Sequence, residues 1–516
     1  MKTVKADLFG VETFFNAFFH RLNTCFLLEW LLAFVLVIIA RLPYLLSDHV
    51  YFDGDEAMLG IMGRDLITGK ALPIYFYGQQ YGFSFFEVLS VGMFIPFLGS
   101  GVASLKLGGT LLFSLGIQRF MKVFRAKKLS FISYLLVTII LVLFPTWLVW
   151  GTKLRGGYIT AFVGLAFIVE QLFLHANWER KNRLIVSGMS ALILVSQPFF
   201  LLPVFPILVQ RTFKMKWSRI IGTAIFGGLC LFLLRLPAST QDVHWTSSLQ
   251  MSLDLDKLTY YFVDGFWASF TGYFAFSDIY VVPTEVKVSA MLFCVLLILS
   301  LVYSFIVSNT TERKELYLLL MGVFISIFPV SFFGVSGGRF LLPFFTGLMV
   351  IIVFIFARSI EINSLLKQGF LTICIAILSV GLTRFDGFVS FWMERQLNDM
   401  KVLNELVEEM RSRGIKAAFV SEWQTTAQLN YLGNDEMNFR FLFMDDRLER
   451  AVRTVNNCYL DSDCSVALTG SLWPLLDMQH VEGWNERIIR VNERFYLMEN
   501  PEEKFLKKGG FELPGK

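Results

Sequence analysis

Residues 28–46 read LEWLLAFVLVIIARLPYLL, and residues 51–82 read YFDGDEAMLGIMGRDLITGKALPIYFYGQQYG. A spanning helix needs ~20 mostly apolar residues, and the first stretch meets that length. The second sets Asp53, Asp55 and Glu56 within a few residues of the end of that span. A long apolar helix that delivers an acidic cluster to a membrane surface decides the class of fold. Residues 28–46 also read as a retained helix, since no small-residue cleavage site follows.

The rest of the chain repeats the pattern. Of 516 residues, 55% are hydrophobic and 17% charged, with a mean hydropathy of +0.57. A soluble domain carries ~25% charged residues and could not hide so much apolar surface. Further apolar runs lie at 104–120, 131–150, 158–176, 219–236, 286–307, 316–333, 341–357 and 369–385. The run 184–210 is too long for one upright span and is broken by Gln197-Pro198, which suits two short helices with Pro198 opening the second.

Segment 83–100 is apolar enough to span but is interrupted by Glu87, Pro96 and glycines. Placed in the interface, it leaves the basic loops 121–128, 178–183, 211–219, 312–314 and 358–367 on the cytoplasmic side, as the positive-inside rule requires. The expectation is an α-helical polytopic membrane protein with about 11 transmembrane helices. Its amino terminus, 1–27, lies inside; its outer loops include 47–103 and 237–285. Residues 28–390 form the membrane domain. Beyond it, 395–516 reads as a small α/β domain outside the membrane, with the amphipathic helix LNDMKVLNELVEEMRSRG and the β-like runs KAAFVSE, MNFRFLFMD, SVALTGS and IIRVNERFYLME. Cys458 and Cys464 lie there, in a compartment that permits disulfides; a bridge and two separate thiols are both open. A net charge of +4 gives no reason to expect nucleic acid.

The chemistry gathers in outer loops. A carboxylate at the hydrocarbon boundary is costly to desolvate, and its shifted pKa suits a general base. For Asp55 the competing reading is a cap on the helix that begins at Glu56. Lys153 and Arg155 stand beside Gly156-Gly157, and Arg339 follows Gly337-Gly338. Cations on the outer edge run against the positive-inside trend and call for an anionic partner, such as phosphate, or for snorkelling to head groups. His244-Trp245 is weak evidence, and the aromatic stretch 260–276 suits either an isoprenoid groove or interfacial anchoring. The chain has no Walker loop, no GxGxxG after a strand, no HExxH and no paired CxxC.

Four ordered features resemble the GT-C superfamily of polyprenyl-phosphate-sugar-dependent glycosyltransferases, in its protein O-mannosyltransferase-like and lipid A aminoarabinose transferase-like branch. They are Asp55-Glu56 followed by PIYFYGQQYG, the segment ending in FLGS before SLKLGGTLLFSLG, the outward turn at SQP (196–198), and RFLLPFF at Arg339. The resemblance covers roughly 28–390. It implies an inverting sugar transfer in a bacterial cytoplasmic (inner) membrane, from a polyprenyl-phosphate donor to a lipid, glycan or protein acceptor among membrane lipids. Asp55 would be the base, Glu56 its companion and Arg339 a phosphate contact. Tyr77, Gln79 and Gln80 fall in the matching substrate loop. The aminoarabinose branch has Lys where this chain has Gln79-Gln80, so Lys153 or Arg155 would replace that phosphate contact. The second acidic residue of some relatives is missing from GTKLRGG (151–157), which weakens a metal-dependent reading; a divalent metal stays open, with Asp55 as its ligand. The competing functions are a transporter or flippase of a lipid-linked substrate and a non-catalytic envelope assembly protein.

Overall fold

The structure is a computed structural model that describes residues 26–46, 50, 52–77, 79, 82–175, 178–237, 256, 284–328, 341–358, 364–383, 400–434, 436–441, 449–460, 464–471, 488–492 and 495–501. The sequence-predicted sites Gln80, His244, Trp245, 260–276 and Arg339 lie outside these residues.

The first apolar run is helix α1, Phe26–Leu45. Glu29, Ala33, Val37, Ala40 and Arg41 are buried, whereas Leu31, Val35 and Ile39 are exposed. Both sets repeat at helical spacing, and the outward set is entirely apolar, as a lipid-facing stripe must be. Helix α2, Gly54–Ile67, follows, then two short pieces, α3 (Phe85–Gly92) and α4 (Ile95–Leu98), and the long α5, Val102–Ala126. At 1.5 Å per residue neither α3 nor α4 can cross a bilayer.

The run 131–150, expected as one span, is two helices: α6, Phe131–Val142, and α7, Pro145–Trp150. A proline inside the helix would lose one hydrogen bond and clash with the carbonyl four residues back, so the helix stops and restarts at Pro145. After α8 (Tyr158–Leu174), the 184–210 run is also divided, as its Gln197-Pro198 pair implies. Helix α9, Arg180–Ser196, ends there; Pro198–Val204 forms a 3-10 helix, and α10 is Phe205–Phe213. Then come α11 (Trp217–Arg235), α12 (Thr284–Val307), α13 (Thr310–Ile325), α14 (Leu342–Arg358) and α15 (Ser364–Thr383). The run expected at 316–333 begins earlier, where Asn309 and Glu312 form a reciprocal cap.

Among the described residues three helical stretches are long and apolar enough to cross a membrane: Phe26–Pro43, Trp217–Arg235 and Lys287–Val307. Six other apolar helices are shorter.

The carboxyl-terminal part is α/β. Helix α16 (Met400–Ser412) buries Val402, Leu403, Leu406, Val407 and Met410 along one stripe. Strand β1 (Ala417–Val420) leads to α17 (Trp423–Leu432) and β2 (Asn438–Phe441), then to α18 (Glu449–Leu460) and β3 (Val466–Ser471). The run IIRVNERFYLME, expected as one strand, is two: β4 (Ile488–Arg490) and β5 (Phe495–Glu499). The sheet order is β2-β1-β3-β5-β4. β1 pairs parallel with β2 and β3, while β5 pairs antiparallel with β3 and β4. Cys458 and Cys464 are joined by a disulfide that ties the end of α18 to the start of β3.

Candidate active site

The acidic loop becomes a site because two separate elements bring three cations to it: Lys106 from α5, and Lys153 and Arg155 from loop 151–157. Asp53 is the amino-terminal cap of α2: its Oδ1 accepts from the Glu56 backbone N–H at 2.9 Å. The capping role considered for Asp55 therefore belongs to Asp53. Asp53 is 1% exposed, and its Oδ2 lies 2.7 Å from Lys153 Nζ and 4.0 Å from Arg155. Glu56, fully buried, meets Lys106 Nζ of α5 at 2.5 Å. Asp55 takes Arg155 Nη2 at 2.6 Å, and its side chain keeps 17% of its surface open.

The cluster is thus three carboxylates against three cations. Its members are almost entirely desolvated, and a buried charge persists only when paired. Burial alone would raise the Asp53 carboxyl, but Lys153 and then Arg155 hold it well below the usual carboxylate range. Burial pushes Glu56 up, and Lys106 only partly offsets it. Burial lowers Lys153, against the pull of Asp53.

Lys153 and Arg155, expected to wait for phosphate or lipid head groups, find their anionic partners inside the protein. The sequence could not show this, because loop 151–157 and the acidic loop are about a hundred residues apart and meet only through packing. Each of the three carboxylates faces a cation, so together they do not make a ligand set for a divalent metal. Among the described residues no group of three or more His, Cys, Asp or Glu is placed to hold one.

The cationic loop is itself fixed from several sides. Glu87, fully buried on α3, accepts from the backbone N–H groups of Gly157, Ile159 and Thr160 at 3.1, 3.0 and 3.2 Å. It satisfies the free donors at the start of α8, where a carboxylate also complements the helix dipole. Burial raises Glu87 to about 7 despite those three donors. Gln197 donates from Nε2 to the Gly156 carbonyl at 2.8 Å. Gly156 and Gly157 have φ of +51° and +88°, and a Cβ at Gly157 would meet the Phe83 carbonyl oxygen at 2.8 Å. Glycine is needed at 157 for both reasons.

Of the other sequence-predicted residues, Tyr77 donates to Asp65 Oδ2 at 2.9 Å, at the far end of α2 from Asp53. Gln79 is half-buried, and its backbone N–H bonds to the Phe76 carbonyl. Glu87, Lys106 and Gln197 were not foreseen as site residues. Lys106 carried one signal, a charge inside an otherwise apolar run, and Glu87 the same.

No protein-family model matches the chain, and no curated protein does. Among solved structures, the crystal structure of ArnT from Cupriavidus metallidurans in the apo state is similar. The TM-score is 0.57 at 11% identity, over 92% of this chain and 98% of that one. At that identity the likeness is one of fold alone.

Proposed function

We propose that this chain is a membrane glycosyltransferase of the GT-C kind. It moves a sugar from a polyprenyl-phosphate donor to an acceptor hydroxyl at the outer face of the cytoplasmic membrane, with inversion and with Asp55 as the base. The observation that carries the reading is the division of labour among the acidic residues. Asp53 and Glu56 are buried and committed to structure, whereas Asp55 is partly open and held by a single guanidinium contact. The ArnT-like fold and the ordered motifs of the sequence support the substrate class.

The chemistry follows from that geometry. As the acceptor oxygen attacks the anomeric carbon, the bond from that carbon to the phosphate oxygen breaks, and the hydroxyl proton passes to Asp55. Polyprenyl phosphate leaves with the electron pair. Asp55 loses its charge in the same step, which frees part of the Arg155 guanidinium. Its planar fork of donors then suits the phosphate as charge develops there. Arg155 would thus orient the base before transfer and steady the leaving group during it. Lys153, tied to Asp53, holds the loop that carries Arg155 against the acidic turn.

The test is transfer of labelled sugar in right-side-out and inverted vesicles supplied with a panel of polyprenyl-phosphate sugars. Wild type is expected to consume a donor from the outer face, and Asp55→Asn to lose that activity. Equal transfer by Asp55→Asn would overturn the base; no consumption of any donor would overturn the enzyme.

A further inference from the structure

The acidic helix α2 does not rest on membrane helices alone. Helix α17 of the carboxyl-terminal α/β part lies against it, some 370 residues away in sequence. Gln428, fully buried, donates from Nε2 to the carbonyl of Phe52 at 2.6 Å. Phe52 immediately precedes the Asp53 cap, so this bond fixes the peptide from which the acidic turn starts. Tyr431 seats its ring over Gly60, where a Cβ would fall on that ring. Its ring also stands 5.9 Å from that of Phe52, and its hydroxyl donates to the Gly101 carbonyl at 3.0 Å. Gly101 caps α5, the helix that carries Lys106.

The third tie runs the other way. Arg64, 5% exposed, donates to the Asn430 and Tyr431 carbonyls at 3.4 and 3.3 Å and to Asn434 Oδ1 at 3.4 Å. These carbonyls belong to the last turn of α17, which lacks partners within the helix and carries the negative end of its dipole. The contacts fall in one order along both helices: Gln428 at Phe52, Tyr431 at Gly60, Asn434 at Arg64. The two helices therefore run in the same sense.

From this we infer that Gln428 and Tyr431 are positioning residues for the transfer reaction, so that the α/β part is a working component of the active site. Gln428 sets the backbone entering the Asp53–Asp55 turn, and Tyr431 holds α2 and the start of α5 in register, which keeps Asp55 opposite Arg155 and Glu56 opposite Lys106. The inference rests on the proposed transfer reaction for its kinetic consequence and on packing alone for its structural one.

The experiment uses the full-length protein in nanodiscs, as wild type, Gln428→Met and Tyr431→Phe. Methionine keeps the length and volume of glutamine and removes the donor; phenylalanine keeps the ring and removes the hydroxyl. Two quantities are read: turnover of a synthetic polyprenyl-phosphate sugar, and amide exchange of peptides covering 52–67 and 417–420. For Gln428→Met the expected result is a kcat lowered by about 10- to 100-fold with donor KM little changed, as small misplacements of a reacting group produce. Exchange in 52–67 rises while β1 stays protected, and Tyr431→Phe gives a smaller change of the same kind. Unchanged kcat and unchanged exchange in 52–67 would overturn the inference, and so would loss of protection in β1 together with 52–67, which marks simple unfolding. If wild type turns over no donor, the transfer reading fails, and exchange in 52–67 alone decides whether α17 positions α2.

Discussion

Asp53 and Asp55 stand two residues apart, and substitution separates what each contributes. Asp55→Asn keeps the size of the side chain and removes the base. Transfer should fall by about 10²- to 10⁴-fold, the usual contribution of a general base. The melting temperature should fall less than for Asp53→Ala, because Asp55 keeps 17% of its side chain open and asparagine still offers the Arg155 guanidinium an acceptor oxygen. Asp53→Ala should do the reverse. It removes a helix cap worth about 1 kcal/mol. It also strands the buried Lys153 ammonium, a loss of roughly 3–5 kcal/mol for a broken buried pair. Thermal unfolding of the two variants checks both expectations. The double change Asp53→Asn with Lys153→Met should recover much of the stability, since replacing a buried pair outright is far less costly than orphaning one charge. No recovery would show that the pair is not what holds this turn. The acid side follows from the same residue: its depressed pKa makes its contribution complete above about pH 4, the unfolded carboxylate value, and lost as pH falls further. The charge-bearing loop residues were legible in the sequence because cations in a short break between apolar runs and clustered carboxylates next to one both stand out from their surroundings. Their pairing was not, since a counterion can come from a ligand or from a distant loop and only the packing distinguishes them.

Elements, not single side chains, hold the cationic loop, and Glu87 is where this can be measured. It sits on α3, too short to span, and serves three N–H groups at the start of α8. With a folded pKa of about 7, the native state holds a proton there that the unfolded chain releases near pH 4.3. The sign follows: the contribution is complete below about pH 4.3 and is lost as pH rises through about 7, so stability from this residue falls across that window. Glu87→Gln should flatten the slope of melting temperature against pH between about 5 and 7.5, and the integrated difference should be on the order of 3 kcal/mol at most. A slope identical to wild type would show that Glu87 does not titrate there. Helix α17 illustrates what sequence patterning misses at this scale. Its residues are mixed in character, and both faces are buried, one by the sheet and one by α2, so it shows no clean apolar stripe. The amphipathic α16, by contrast, was readable from its spacing. The split of IIRVNERFYLME into β4 and β5 had a signal that the one-strand reading passed over, the three consecutive polar residues Asn492-Glu493-Arg494.

At the scale of the whole molecule, apolar runs revealed a membrane fold, and breaks at Gln197-Pro198 were readable from chain chemistry. The break at Pro145 was passed over because the run on either side is uniformly apolar. What length and composition do not decide is whether residues 83–100 cross the bilayer. The ion pairs bear on it by geometry. Glu56 meets Lys106 at 2.5 Å and Asp53 meets Lys153 at 2.7 Å. With the acidic turn and the start of α5 in contact, the expectation is that the chain makes no net crossing between residues 57 and 105. Ala71, exposed just after α2, should then lie on the active-site face, and Ala126, exposed at the far end of α5, on the opposite face. The check is labelling by a membrane-impermeant maleimide of Ala71→Cys and Ala126→Cys, each in a background without Cys25, Cys230, Cys294 and Cys374. Intact cells should label position 71 alone, and position 126 should react only after the membrane is opened. Labelling of both from outside would mean that α3 and α4 carry the chain across. The basic loop 121–128 would then face outward, and the positive-inside assignment of the first half of the protein would fall with it.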